Sequence, residues 1–187
     1  MVSFDTNFLL IALRKEKIPA SVDRARDRVM YLIETLHQSR EKIVIPTPVF
    51  AEVLVHSGKA GSTYLAELQK SSKFKIAALD TRAAIEVAAD IVVSKKKGDK
   101  RGGSKETWAK ANFDRQIAAI SKAEGAHTIY TDDKGVAIPA KRMGMKIVRL
   151  ADLPLPLSKT PLLDWAENEI GTGNRGDEPQ TKKDSDV

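Results

Sequence analysis

The stretch that decides how this chain folds is its beginning, MVSFDTNFLLI, at residues 1–11. Residues 2–4 are typical of a buried strand, and residues 8–11 form an apolar helical face. Asp5 stands between the two, where an unpaired buried charge is costly. The pattern therefore predicts one of two roles for Asp5. It is either a helix N-cap, for which Asp, Thr and Asn are all suited, or a metal ligand at a strand end.

Short apolar runs alternate with helical periodicity along the rest of the chain. The candidate strands are 2–4, 42–45, 74–79, 127–130 and 146–150. The candidate helices lie at about 21–39, at 49–54, at 64–68, at 85–93 and after 113. The helix at 85–93 is inferred from the apolar positions Ile85, Ala88, Ala89, Val92 and Val93. This alternation predicts an α/β protein with a mainly parallel sheet covered on both faces.

Length and composition narrow the class of protein. The 187 residues suit one domain with a real core. No apolar run is long enough to cross a membrane, and the first residues lack the basic region of a signal peptide, so neither is expected. The chain has no cysteine, which excludes disulfides, thiolate metal sites and cysteine nucleophiles. A cytoplasmic location fits that absence.

The pattern changes after residue 150, and this predicts the domain organisation. One domain is expected over residues 1–153. Prolines then interrupt the pattern, and residues 154–170 are expected to form a C-terminal extension with a short helix. Residues 171–187 contain almost nothing to bury, so we expect a disordered tail.

The chain carries a formal net charge of +6, and six of its 31 basic residues lie in one Gly-rich segment. The basic residues of this segment are Lys95, Lys96, Lys97, Lys100, Arg101 and Lys105. We expect a mobile loop that either contacts phosphates or is a solvated surface without a ligand. Trp108 follows, and it is expected either to stack on an unpaired base or to join the core.

Acids stand at strand ends or near helix starts in four places: Asp5, Glu52, Asp114 and the pair Asp132 and Asp133. Each has an ordinary alternative as a helix cap, a helix-dipole partner or a surface acid. Ligands of open α/β sheets bind beyond the carboxyl ends of the strands, so these acids are expected to meet. Carboxylates held together repel one another and require cations. Ligation by oxygen alone suits Mg²⁺ or Mn²⁺.

Four sequence blocks resemble PIN-domain ribonucleases, most closely the VapC-type toxins of toxin–antitoxin systems. The blocks are 4–7, 49–53, 114–119 and 129–133. Their order and spacing are similar to the family's over roughly residues 1–150. The resemblance implies a PIN-like three-layer α/β/α nuclease domain over 1–153, with a central, mainly parallel five-stranded sheet. The segment 94–112 and the residues from 154 onward are additional to the compact family pattern.

The resemblance also implies a site. The expected catalytic residues and ligands of Mg²⁺ or Mn²⁺ are Asp5, Glu52, Asp114 and Asp133. The residues expected around them are Thr6, Asn7, Thr131 and Asp132. Thr6 and Asn7 would orient Asp5, and one of them would cap the following helix. Thr131 would act near Asp133, for which Asp132 is a possible substitute.

A metal-dependent endoribonuclease that hydrolyses phosphodiester bonds of RNA is the activity that the resemblance implies. As the toxin of a toxin–antitoxin pair, it would have an RNA substrate, an antitoxin and a second copy of itself as partners. Two alternatives stay open. One is a PIN-type nuclease of RNA maturation or decay without an antitoxin, and the other is a catalytically silent PIN module that binds RNA or protein.

Overall fold

The computed structural model describes residues 1–13 and 22–156. The expected disordered tail at 171–187 lies outside these residues, as does the expected extension apart from residues 154–156. In the described part of the chain, no helix is both long and apolar enough to cross a membrane.

Strands and helices alternate along the described chain. The strands are β1 Val2–Phe4, β2 Ile43–Pro46, β3 Phe74–Ala77, β4 Thr128–Tyr130 and β5 Lys146–Val148. The α-helices are α1 Thr6–Leu13, α2 Ala25–Gln38, α3 Thr47–Ser57, α4 Gly61–Lys70, α5 Thr81–Lys96, α6 Trp108–Ala123 and α7 Lys134–Arg142. Helix α2 begins later than the predicted residue 21, because Arg24 has a left-handed backbone conformation with φ 50°.

The five strands form one parallel sheet in the order β3-β2-β1-β4-β5. Strand β1 is central, with Ser3 opposite Val44 on one side and Ile129 on the other. The predicted α/β class with a parallel, helix-covered sheet is confirmed, and every pairing is parallel. The chain builds one half of the sheet outward from β1 and then returns to build the other half. The carboxyl end of β1 is therefore the switch point where such sheets place a ligand crevice.

Aromatic packing fixes the backbone on both sides of Asp5. The rings of Phe4, Phe8 and Tyr130 pack on one another, with centroids 5.3 to 5.8 Å apart. Phe4 and Phe8 are fully buried, and Tyr130 is nearly so. Such tilted and edge-on ring contacts stabilise a core beyond the area they bury. The position of Asp5 is thus set by the residues just before and after it.

Helix α5 is present as predicted, but its apolar face points outward. Ile85 is 64% exposed, and Val92 and Val93 are also exposed. The face turned inward instead carries Ala83, Asp90 and Ser94. Small side chains allow close approach, and Asp90 pairs there with the buried Arg115 and the partly buried Arg142. The hydrophobic pattern therefore predicted the helix correctly but not the face that it buries.

Candidate active site

Asp5 directly follows β1 and is only 4% exposed. Its Oδ1 accepts a hydrogen bond of 3.1 Å from the backbone N–H of Phe8, so Asp5 itself binds the start of α1. The expectation that Thr6 or Asn7 would cap this helix and leave Asp5 free is therefore wrong. Burial raises the pKa of Asp5 to about 6, although hydrogen bonds from Thr131 and Phe8 oppose the shift.

Glu52 reaches the same region from the first half of α3, where it is partly buried. The hydroxyl of Thr6 donates a hydrogen bond to its Oε2. This bond connects the start of α1 to α3 and holds the Glu52 carboxylate beside the end of β1. Thr6 was expected to orient Asp5, and the structure instead gives it Glu52 as a partner.

Asp114 lies in the second turn of α6 and is 1% exposed. Its Oδ1 accepts a hydrogen bond of 2.7 Å from Nζ of Lys110, one turn earlier. Its Oδ2 is buried and has no hydrogen-bond partner. Burial raises the pKa of Asp114, and the charges of Asp133 and Glu52 add to the rise, while Lys110 opposes it. A buried carboxylate oxygen without a partner is costly, and this oxygen is free to accept a further partner.

Asp133 follows β4, and Thr131 helps to place it. The Thr131 hydroxyl accepts a hydrogen bond of 3.0 Å from the Asp133 N–H. One carboxylate oxygen of Asp133 accepts from the N–H of Gly135 at 2.7 Å and caps α7. The other lies 3.2 Å from Nζ of Lys110. Thr131 therefore lies beside Asp133, and Asp133 shares the ammonium of Lys110 with Asp114.

Asp132 is turned toward different partners. Its Oδ1 accepts a hydrogen bond of 3.0 Å from the N–H of Leu150, and its Oδ2 lies 3.4 Å from the side-chain nitrogen of Asn7. The resemblance implied that Asn7 would orient Asp5. In the structure, Asn7 pairs with Asp132 instead. Because both oxygens of Asp132 are engaged, Asp133 is the acid of this pair that faces Asp114.

All of these acids line one pocket of about 290 Å³ at the carboxyl ends of β1 and β4. Its lining consists of Asp5, Thr6, Asn7, Leu10, Glu52, Lys110, Asp114, Ile117, Asp132, Asp133 and Val136. The structure thus brings together five acids from four separate segments. The four acids expected from the sequence are all among them.

Two residues of the site were missed in the sequence. Lys110 bridges Asp114 and Asp133, and its spacing of four residues before Asp114 is the signal that could have found it. The backbone of Gly135 packs so closely on the site that a Cβ there would lie 2.2 Å from Oδ2 of Asp114. Only glycine fits against this carboxylate without a shift of the neighbouring atoms.

The donor chemistry of the pocket fits a hard divalent cation. The charged groups in the pocket that could coordinate a metal ion are all carboxylates, which suit Mg²⁺ or Mn²⁺. One buried oxygen of Asp114 has no hydrogen-bond partner. Across residues 1–13 and 22–156, however, no three acidic or histidine side chains are arranged around one point as a ready metal site. The ammonium of Lys110 lies between two of the carboxylates. The residue types of the pocket therefore fit a divalent cation, while the arrangement of Asp114 and Asp133 accommodates the ammonium of Lys110.

The basic segment lies outside the pocket. All six of its basic side chains are exposed: Lys95, Lys96, Lys97, Lys100, Arg101 and Lys105. The loop is shorter than expected, because Lys95 and Lys96 belong to the last turn of α5, and its mobility stays a prediction. Several hydrogen bonds hold its backbone. Arg115 donates to the carbonyl of Lys100 at 3.1 Å, and Arg142 donates to that of Gly102. The carboxylate of Asp99 accepts two further backbone N–H groups of the loop.

Trp108 opens α6 beside this segment and is 37% exposed, so it is not a core residue. Nζ of Lys100 lies 5.5 Å from its ring centroid and Cζ of Arg115 lies 5.6 Å from it. Cations at these distances are attracted to the ring. Stacking of Trp108 on a base stays a prediction.

Known proteins resemble this chain in fold rather than in sequence. No protein-family model matches the chain, and no curated protein matches it significantly. A chain of VapBC2 from Rickettsia felis, bound to a DNA fragment from its promoter, superposes with a TM-score of 0.54 at 20% identity. The match covers 80% of this chain and 98% of that chain. A chain of DNA-bound VapBC from Salmonella typhimurium gives a TM-score of 0.50 at 18% identity, covering 80% and 99%. The chain therefore has the fold of a VapBC component, which supports the PIN-like architecture.

Proposed function

We propose that this protein is a Mg²⁺- or Mn²⁺-dependent endoribonuclease that hydrolyses phosphodiester bonds of RNA, and that it is the toxin of a toxin–antitoxin pair. The observation that carries the proposal is the pocket at the switch point of the sheet, which acids from four segments line and where Oδ2 of Asp114 has no hydrogen-bond partner. Acids so arranged are held for a cation rather than for folding. The likeness to VapBC chains supports the toxin assignment.

The bound cation would supply a water molecule of lowered pKa for attack on phosphorus, and would stabilise charge on the leaving oxygen. Asp5, Asp114 and Asp133 would hold the cation, and Glu52 would join them. Thr6 keeps the Glu52 carboxylate turned toward the pocket. The chain has no cysteine, and the mechanism requires no side-chain nucleophile.

Three further expectations belong to the same proposal: an antitoxin partner, a homodimer and a cytoplasmic location. The similar solved structures are VapBC complexes, which supports the antitoxin. The exposed apolar face of α5, around Ile85, Val92 and Val93, supports a second copy. Contiguous exposed apolar side chains of this kind are typical of interaction surfaces.

The proposal is tested with purified protein and single-stranded RNA. We expect cleavage in Mg²⁺ or Mn²⁺ and none in EDTA. Asp114→Asn should slow cleavage by at least about a hundredfold, because the loss of a metal ligand removes several kcal/mol of transition-state stabilisation. Asp27→Asn, an exposed acid on α2, is the matched control and should cut like the parent. Equal cleavage by a folded Asp114→Asn variant would reject the acidic site.

The toxin assignment has its own test. Induced expression in bacteria should arrest growth, and co-expression of the small protein encoded directly upstream should restore it. Cleavage of RNA without growth arrest would favour a nuclease of RNA maturation or decay. RNA binding without cleavage would favour the silent module.

A further inference from the structure

Lys110 is a lysine at the centre of an acidic pocket. Its Nζ lies 2.7 Å from Oδ1 of Asp114 and 3.2 Å from Oδ2 of Asp133. These two acids come from different elements, the second turn of α6 and the residue that caps α7. One ammonium group therefore joins two of the carboxylates that are expected to hold a divalent cation.

The charge balance of the pocket explains why a cation is needed at this point. Five carboxyl groups line the pocket, and Lys110 is the one positively charged side chain among the described lining residues. Asp114 is almost fully buried, and Asp133 and Glu52 act on it with like charge. A carboxylate in such surroundings is unfavourable unless a cation compensates it.

We propose that Lys110 is a built-in counter-ion, which occupies the cation position between Asp114 and Asp133 and gives up that position when a divalent cation binds. The proposal rests on the proposed function, because it takes these acids as metal ligands. It accounts for the absence of a ready group of three ligands in the described residues. With the ammonium in place, the carboxylates of Asp114 and Asp133 are directed at Lys110.

The side chain of Lys110 is suited to leave. It is 44% exposed and stands on a flexible four-carbon stem, so its ammonium can move to solvent without any change in the backbone. The partner carboxylate of Asp114 is buried and cannot follow. Metal binding therefore has to overcome the two ion pairs that Lys110 makes with Asp114 and Asp133, and Lys110 sets how much metal is needed to fill the site.

The test measures Mn²⁺ binding to the full chain by calorimetry, without RNA. Lys110→Met keeps the length of the side chain and removes its charge. We expect the Mn²⁺ dissociation constant to fall by at least about fivefold, because a positive charge that competes for the same carboxylates is removed. Lys110→Arg keeps the charge and should bind Mn²⁺ like the parent. Lys122→Met, an exposed lysine on the same helix, is the matched control and should change nothing.

A second readout follows the folded state in EDTA. In EDTA, the melting temperature of Lys110→Met should be lower than that of the parent, since its carboxylates have lost their counter-ion. In saturating Mn²⁺, the two proteins should melt at the same temperature. If Lys110→Met does not fold, Lys110→Gln takes its place in both measurements.

The results separate this inference from the proposed function. Unchanged or weaker Mn²⁺ binding by the neutral variants overturns the counter-ion role, whatever the cleavage assay shows. A parent that binds no Mn²⁺ overturns both proposals. If the parent binds Mn²⁺ as expected, and more weakly than Lys110→Met, but cuts no RNA, the counter-ion role stands and the ribonuclease assignment fails.

Discussion

Two buried carboxylates on neighbouring helices are treated in opposite ways. Asp90 on α5 accepts three hydrogen bonds of 2.6 to 2.7 Å, one from Arg115 and two from Arg142. Burial alone would raise the pKa of Asp90, but the two guanidinium groups outweigh it and hold that pKa below its usual value. Asp114 on α6 receives one lysine and keeps a buried oxygen without a partner, and its pKa is raised.

The contrast supports the proposal that Asp90 serves the fold, while Asp114 is kept for a ligand. The paired carboxylate of Asp90 ties α5 to α6 through Arg115 and to α7 through Arg142, and both arginines also hold backbone carbonyls of the basic segment. Both oxygens of this carboxylate are already paired with guanidinium groups. The carboxylate of Asp114 costs stability as it stands, and the divalent cation that we propose would offset this cost.

The largest expected effect comes from breaking the Asp90 cluster. Asp90→Asn leaves Arg115, which is 1% exposed, without its charged partner, and should lower the free energy of unfolding by about 3 to 5 kcal/mol. Urea unfolding in EDTA measures the effect. Asp114→Asn is the matched comparison and should change stability by less than about 1 kcal/mol, because it removes an already poorly compensated charge. Equal losses in the two variants would erase the distinction between the carboxylates.

Asp5 offers a prediction with the opposite sign. Its raised pKa means that the folded chain binds a proton that the unfolded chain releases between about pH 4 and pH 6. That contribution to stability is present below pH 4 and is lost as the pH rises through about 6. Asn cannot ionise and can still accept the hydrogen bond from Phe8. The free energy of unfolding of Asp5→Asn should therefore be about 2 to 3 kcal/mol higher than that of the parent at pH 7.5 in EDTA.

The same variant should nevertheless lose RNA cleavage, since Asp5 is an expected metal ligand. The gain in stability should disappear near pH 4, where the parent is also neutral at this position. Urea unfolding at both pH values, with EDTA throughout, measures it. A gain that persists at pH 4 would show that Asp5→Asn acts through packing rather than charge.

Gly135 tests how closely the site is built. Gly135→Ala introduces a Cβ that would meet Oδ2 of Asp114 at 2.2 Å, so one of the two groups has to shift. We expect a loss of about 1 to 3 kcal/mol in stability and weaker Mn²⁺ binding in calorimetry. Gly61→Ala is the matched control, because its Cβ would make only an ordinary contact of 3.5 Å with Leu54. Normal Mn²⁺ binding by Gly135→Ala would mean that Asp114 is not held against this backbone.

Much of the fold could be read from the sequence, for a physical reason. Strands buried in a parallel sheet are short apolar runs, and all five stood out between helical segments. The acids of the pocket could be found because each interrupts apolar surroundings at the end of a strand or the start of a helix. Asp5, for example, is a charged residue between the apolar residues of β1 and those of α1.

The pairing of charges could not be read in the same way. Asp90 meets Arg115 and Arg142, which lie 25 and 52 residues away, and only the packed helices bring them together. This pairing turned the buried face of α5 away from its apolar residues. The closeness of Gly135 to Asp114 is likewise a property of the assembled backbone.

The smallest expected effect concerns the basic segment that the Asp90 cluster anchors. Replacement of Lys95, Lys96 and Lys97 by Ala should weaken RNA binding at low salt. It should also reduce the slope of log affinity against log salt by about 2, since each phosphate contact on a single strand contributes about 0.7. Fluorescence anisotropy of the EDTA-treated protein separates binding from cleavage. The control replaces the exposed lysines Lys59, Lys70 and Lys122, which keeps the net charge equal. If both triple variants lose affinity equally, RNA responds to the overall charge and not to this anchored loop.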